Sequence, residues 1–144
     1  MLAQCEKYFA SLNSVADLIA VANMTGYIES GQEHWEEAVA AGRRCVQLAW
    51  DRHAHLQLAL ALGNLPHPLV MLGDADVAAR LMSFAAHFWE RSIGPFSADD
   101  VAAMKDVRKR AAKRLGVART ATLWAQGAEL SLAEAVHLAL TGRG

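Results

Sequence analysis

The sequence predicts an all-α fold, built of antiparallel helical hairpins, with about 7–8 helices in one domain over residues 1–144. Three observations carry this reading. The chain is 144 residues long, 53% hydrophobic and 20% charged, and holds 29 alanines and 18 leucines, both strong helix formers. No stretch alternates apolar and polar residues for long enough to make a strand, and no Asn-Gly or Asp-Gly hairpin signal occurs. Serine caps and glycine breaks recur along the whole chain. A net charge of −1 with this apolar content excludes disorder, and two cysteines exclude a disulfide scaffold. A pI near 6.6 argues against a polybasic nucleic-acid module.

The first expected helix covers residues 2–12. Ser14, with Asp17 three residues on, caps a second over 14–30, and Gly31 separates it from a third over 32–50. A fourth covers 52–64. Pro66 and Pro68 then interrupt the pattern, and a short helix is expected to resume at Leu69–Leu72. Gly73 and Gly94 bracket a helix over 74–92. Ser97 with Asp100 caps the next, over 97–115, which Gly116 ends. A helix over 117–126 stops at Gly127, and Ser131 with Glu134 caps a last one over 131–141. In each capping box a hydroxyl and a carboxylate three residues apart satisfy backbone donors that the first turn leaves open. The links are short, which makes successive helices antiparallel neighbours.

Small residues recur at an offset of 40: Ala38 and Cys45 in one helix, Ala78 and Ala85 in another, with Gly26 twelve residues before Ala38. Such residues let paired helices approach closely, and the spacing slightly favours a degenerate two-repeat tetratricopeptide-like array over an irregular helical bundle. The pattern departs from the usual repeat of about 34 residues in its length. Pro66 takes the counterpart of Gly26, and Trp50 and Glu90 stand where closing prolines are usual. The last helix carries one apolar stripe, Leu132, Ala135, Val136, Ala139 and Leu140, suited to closing the end of a stack.

From Leu72 onward the text is more specific. LGDADVAARLMSF (72–84) resembles the Gly-Asp-x-x-x-Ala-Ala-Arg-Leu hairpin near the C-terminus of many bacterial multidomain regulators. LGVARTATLWAQGAELSLAEAVHLAL (115–140) resembles their closing segment, with Gly127, Leu130, Ser131, Leu132, Glu134, Ala135, Val136, Ala139 and Leu140 matching. The family resembled is the tetratricopeptide-like tail of signal-transduction ATPase transcriptional regulators of the LuxR-like and AfsR-like kinds. The resemblance covers residues 72–140, the earlier half shares only its helical style, and residues 1–50 are the part of the array with the least support. It implies a sensing or partner-docking helical module and carries over no catalytic residue. The phosphate loop Gly-x-x-x-x-Gly-Lys-Ser/Thr is missing from this sequence, so nucleotide hydrolysis does not transfer.

Candidate chemistry is sparse, and no enzyme activity, metal or cofactor is expected. His53 and His55 would diverge on a helix, and His34 with Glu37 has no second motif to complete a metal site. Glu33, Glu36 and Glu37 around Trp35 read as first-turn acids. Lys105, Arg108, Lys109, Lys113 and Arg114, with Arg110, form a basic patch that gives residues 97–119 a local charge of +4. Nucleic-acid binding is not expected there, because bases in a last turn complement the helix dipole and no aromatic residue interleaves them. Residues 1–40 carry −5, so internal pairing or head-to-tail self-association of copies, a homodimer included, is the matching expectation.

The four tryptophans, Trp35, Trp50, Trp89 and Trp124, are the candidate groove or partner contacts. The expected function is a non-catalytic interaction or sensing module that binds a protein partner or effector. The alternative is a small-ligand-binding bundle with a pocket lined by tryptophan and methionine. No apolar run reaches the ~20 residues that cross a bilayer. The first residues lack the order of a signal peptide, and Cys5 and Cys45 read as reduced thiols. Together these predict a cytoplasmic protein without membrane contact.

Overall fold

A computed structural model describes residues 15–142, with side chains from Leu18 onward. The expected helix over 2–12, the Ser14 cap and Cys5 lie outside the described residues. Among the described residues the chain is all-helical: α1 (Val15–Gly31), α2 (Trp35–Asp51), α3 (His55–Asn64), α4 (Pro66–Met71), α5 (Ala75–Ser92), α6 (Ala98–Leu115), α7 (Val117–Ala128) and α8 (Leu132–Thr141).

α1 and α2 make an antiparallel hairpin, and small residues set its approach. A Cβ on Gly26 would stand 3.6 Å from the Ala38 carbonyl oxygen, the Ala41 side chain and the Gly42 nitrogen. Further along, the Cys45 thiol lies 3.7 Å from the Ile19 carbonyl oxygen. The turn uses a left-handed residue, but at Glu33 (φ 63°), not at Gly31. His53 (φ 55°) plays the same part between α2 and α3.

The short helix starts at Pro66, three residues earlier than its apolar pattern suggests. Proline at the first helical position lacks only an N–H that has no partner there in any case. Leu65 keeps helical backbone angles, donates to the Ala61 carbonyl and accepts from Leu69, and these two bonds carry the chain through the bend although Pro66 and Pro68 have no N–H to donate.

α5 is the centre of the molecule and packs against α3, α4, α6, α7 and α8. Its sequence allows this: Val77, Ala78, Ala79, Leu81, Met82, Phe84, Ala85 and Ala86 are buried on several faces. Ser83 shares that burial because its hydroxyl donates to the Trp124 carbonyl at 2.6 Å. Arg80 pairs with Asp76 at 2.6 Å, and Arg119 from α7 reaches the same carboxylate at 3.1 Å.

Both expected boxes that fall in the described residues are formed. Ser97 accepts from the Asp100 N–H at 3.1 Å, and Ser131 accepts from the Glu134 N–H at 3.1 Å. Gly73, Gly94 and Gly116 take positive φ between helices, as stops should. Gly127 does not stop a helix. It is buried inside α7, where a Cβ would overlap the Arg80 carbonyl oxygen of α5 and come 2.9 Å from the Ser83 Cβ.

α8 lies back across α2 and α5. Arg43 of α2 donates to the carbonyls of Ala139 at 3.0 Å and Gly142 at 3.3 Å. A strictly linear repeat array has contacts only between neighbours. This contact joins residues 96 positions apart and ties α8 to α2 around one core.

Candidate docking cleft

α3 and α4 on one side and α6 on the other leave an open cleft floored by α5. Its first section, about 100 Å3, is bounded by Leu60, Met82, Ala85, Trp89, Phe96 and Asp100. Its second, about 320 Å3, is bounded by Tyr27, Ser30, His67, Met82, Ala103 and Val107. The sections share Gly63, Asn64, Met82 and Ala103 and are therefore continuous. Small side chains make the space: a Cβ on Gly63 would meet nothing within 4 Å, and Ala103 presents only a methyl group.

Aromatic groups stand at both ends. Trp89, in the last turn of α5, stacks against Phe96 with ring centroids 6.4 Å apart. Asp100 holds the lip beside them, where Ser97 donates to its Oδ2 through Oγ at 2.8 Å and through the backbone N–H at 3.3 Å. At the other end Tyr27 is 73% exposed on α1, a large aromatic surface left open to water. Met24, three residues earlier, is also exposed, so α1 shows an apolar strip beside the cleft.

His67 sits where the cleft meets three elements. Its ring packs edge-on against Trp35 of α2 at 5.2 Å, and its Nδ1 lies 3.8 Å from the Asp106 carboxylate of α6. Burial holds the His67 pKa below the ordinary histidine value. Asp106 opposes that shift, and Arg110 adds to it. Asp106 is itself bound by Arg110 Nε at 2.8 Å. The chemistry on offer is recognition: an apolar floor, aromatic posts and a few polar atoms at the rim.

The four tryptophans do not share one groove. Trp89 lines the first section, and Trp35 touches the second only through His67. Trp50 packs against the core. Trp124 is half-buried, with the Arg108 guanidinium 4.7 Å above its ring. The basic patch also divides. Arg108 covers Trp124, Arg110 pairs with Asp106, and Arg114 lies over Gly73, where a Cβ would stand 2.6 Å from its Nη2. Lys105, Lys109 and Lys113 form an exposed stripe at i, i+4 and i+8.

Glu33, Glu36 and Glu37 are exposed, and His34 hydrogen-bonds Glu29 at 2.6 Å rather than Glu37. His53 and His55 are exposed on the α2–α3 turn and the first residue of α3. Among the described residues no three His, Cys, Asp or Glu side chains converge, and no helix is long and apolar enough to cross a membrane.

Sequence reasoning missed His67, Asp100, Phe96 and Tyr27 as cleft residues. The signal for His67 was local: a histidine between two prolines at a helix bend is fixed against its neighbours. The other three carried none, because they come from two different helices and a loop.

Comparison with known proteins assigns no family: no family model, no curated protein and no solved structure matches the chain.

Proposed function

We propose that this chain is a non-catalytic helical interaction module that docks a segment of a partner protein in the cleft between α3–α4 and α6. The supporting observation is the continuous cleft with aromatic posts, floored by α5 of the common core. Helix-lined grooves of this kind take amphipathic segments by anchoring a few side chains. The resemblance of residues 72–140 to regulator tails adds a sensing role in bacterial signal transduction, with tetratricopeptide-like hairpins as the scaffold. A buried free thiol at Cys45 is at home in a reducing, cytoplasmic setting.

The test is site-specific photocrosslinking in cells, with benzoylphenylalanine at Tyr27 or Ala103 and, as control, at Gln47 on the exposed side of α2. A discrete adduct from the two cleft positions and none from Gln47 is the expected result. Equal adducts from all three, or none, would remove the cleft as the docking face.

Met82 and Trp89 also favour a second reading, a small-ligand pocket. The first section is smaller than the ~300 Å3 that ligand sites usually provide, and the second is open, so the docking reading fits better.

A further inference from the structure

The first section of the cleft has a chemistry that selects one kind of side chain. Its floor is Met82 and Ala85, and its wall is the stacked pair Trp89 and Phe96. Three sources of negative potential meet at the mouth. Trp89 and Phe96 present π-electron density, to which a cation is drawn within about 6 Å. Asp100 places a full carboxylate charge at the lip, which outweighs the roughly half positive charge of the α6 N-terminus. The last turn of α5, which ends at Ser92, presents the negative end of its own dipole.

We propose that this section receives a lysine side chain of the partner segment, its methylene stem along Met82 and the aromatic wall and its ammonium at the Asp100 carboxylate. This rests on the docking reading and names the chemistry of the partner. A section of about 100 Å3 has room for one unbranched four-carbon stem lying along it. Lysine is favoured over arginine by the state of the carboxylate. Both Ser97 donors occupy Oδ2, which leaves Oδ1 for a point charge and denies arginine its two-pronged contact. The partner is thus an amphipathic segment with a lysine at the end of its apolar stripe.

Three synthetic amphipathic helical peptides test this, identical except for lysine, norleucine or glutamate at one end of the apolar stripe. They are titrated into the full-length 15N-labelled protein. Saturable shifts at the Trp89 indole N–H and at the amides of Asp100–Met104 are expected with the lysine peptide. It should bind about tenfold more tightly than the norleucine peptide, close to 1.4 kcal/mol, with the glutamate peptide weakest. Asp100→Asn keeps an oxygen for the Ser97 cap, and it should bring lysine and norleucine peptides to equal affinity without lowering the norleucine value. A thermal melt of that variant checks its fold; if it melts early, the preference for lysine in the unaltered protein and its decline with added salt decide. Equal binding of lysine and norleucine peptides, with shifts along the cleft, overturns the lysine site and leaves the docking reading standing. No saturable shift with any peptide overturns the lysine site and counts against the cleft.

Discussion

Cys45 shows how burial alone can determine a residue's behaviour. It is fully enclosed between α1 and α2, and desolvation pushes its pKa up to about 11. An unfolded thiol ionises near pH 8.5. In a Cys5→Ser variant, a thiol reagent at about pH 8 should therefore modify Cys45 only as fast as the fold opens. The sign of the pH effect follows from the raised value. The stability that protonated Cys45 contributes is intact below the unfolded pKa and declines as pH rises toward about 11. Urea midpoints measured across that range should fall with pH, and Cys45→Ala should flatten the fall. An unchanged slope in Cys45→Ala would show that other groups cause it. The thiol's burial follows from the close approach of α1 and α2, which the small residues Ala38 and Cys45 made legible in the sequence. The meaning of Gly127 was not. Its place after a periodic run suggests a stop, and only the Arg80 carbonyl crossing above it explains why a side chain is excluded.

Local signals were strongest at the level of single helices. The Ser131 box needs only four consecutive residues, so sequence could disclose it, and the bonds are present: Ser131 N–H to Glu134 at 2.9 Å and Glu134 N–H to Ser131 at 3.1 Å. Ser131→Ala should cost about 1 kcal/mol in urea unfolding, the usual effect of losing an N-cap hydroxyl. Hydrogen bonds from the Ser131 backbone and side chain hold the Glu134 pKa below the ordinary carboxylate value. Its contribution is thus present above the unfolded pKa and lost as pH falls through the lower folded one. Amide exchange in α8 should rise on the acid side of that range, and less so in Ser131→Ala. An identical acid response in both proteins would rule out the box as its source. The start of α4 was harder to read. Proline is a breaker within a helix and a starter at its first position, and which role applies depends on the bend at Leu65.

For the whole molecule the decisive contact is the return of α8 to α2. Arg43 is the residue that joins them, through charged donors to two carbonyls at the end of the chain. Removing it in Arg43→Ala should lower the unfolding free energy by about 1–2 kcal/mol. Exchange should rise first in α8, because the rest of the core keeps its contacts around α5. If α8 amides exchange as in the unaltered protein, the arginine contacts do not hold the ends together. The charge pattern also changes meaning at this scale. The acidic turn before α2 and the basic helix α6 do not stand at opposite ends of the fold. They approach each other through Trp35, His67, Asp106 and Arg110.

The sequence by itself determined the helical class, the order of helices and the capping boxes of α6 and α8, because these depend on propensity and on donors a few residues apart. It also marked the small residues Gly26, Ala38 and Ala78 that let helices approach. Only the tertiary structure decided which helices meet, which tryptophans reach a common surface and where a cleft remains. Those outcomes arise from side chains brought together from five helices and a loop, and their spacing along the chain carries no record of the contact.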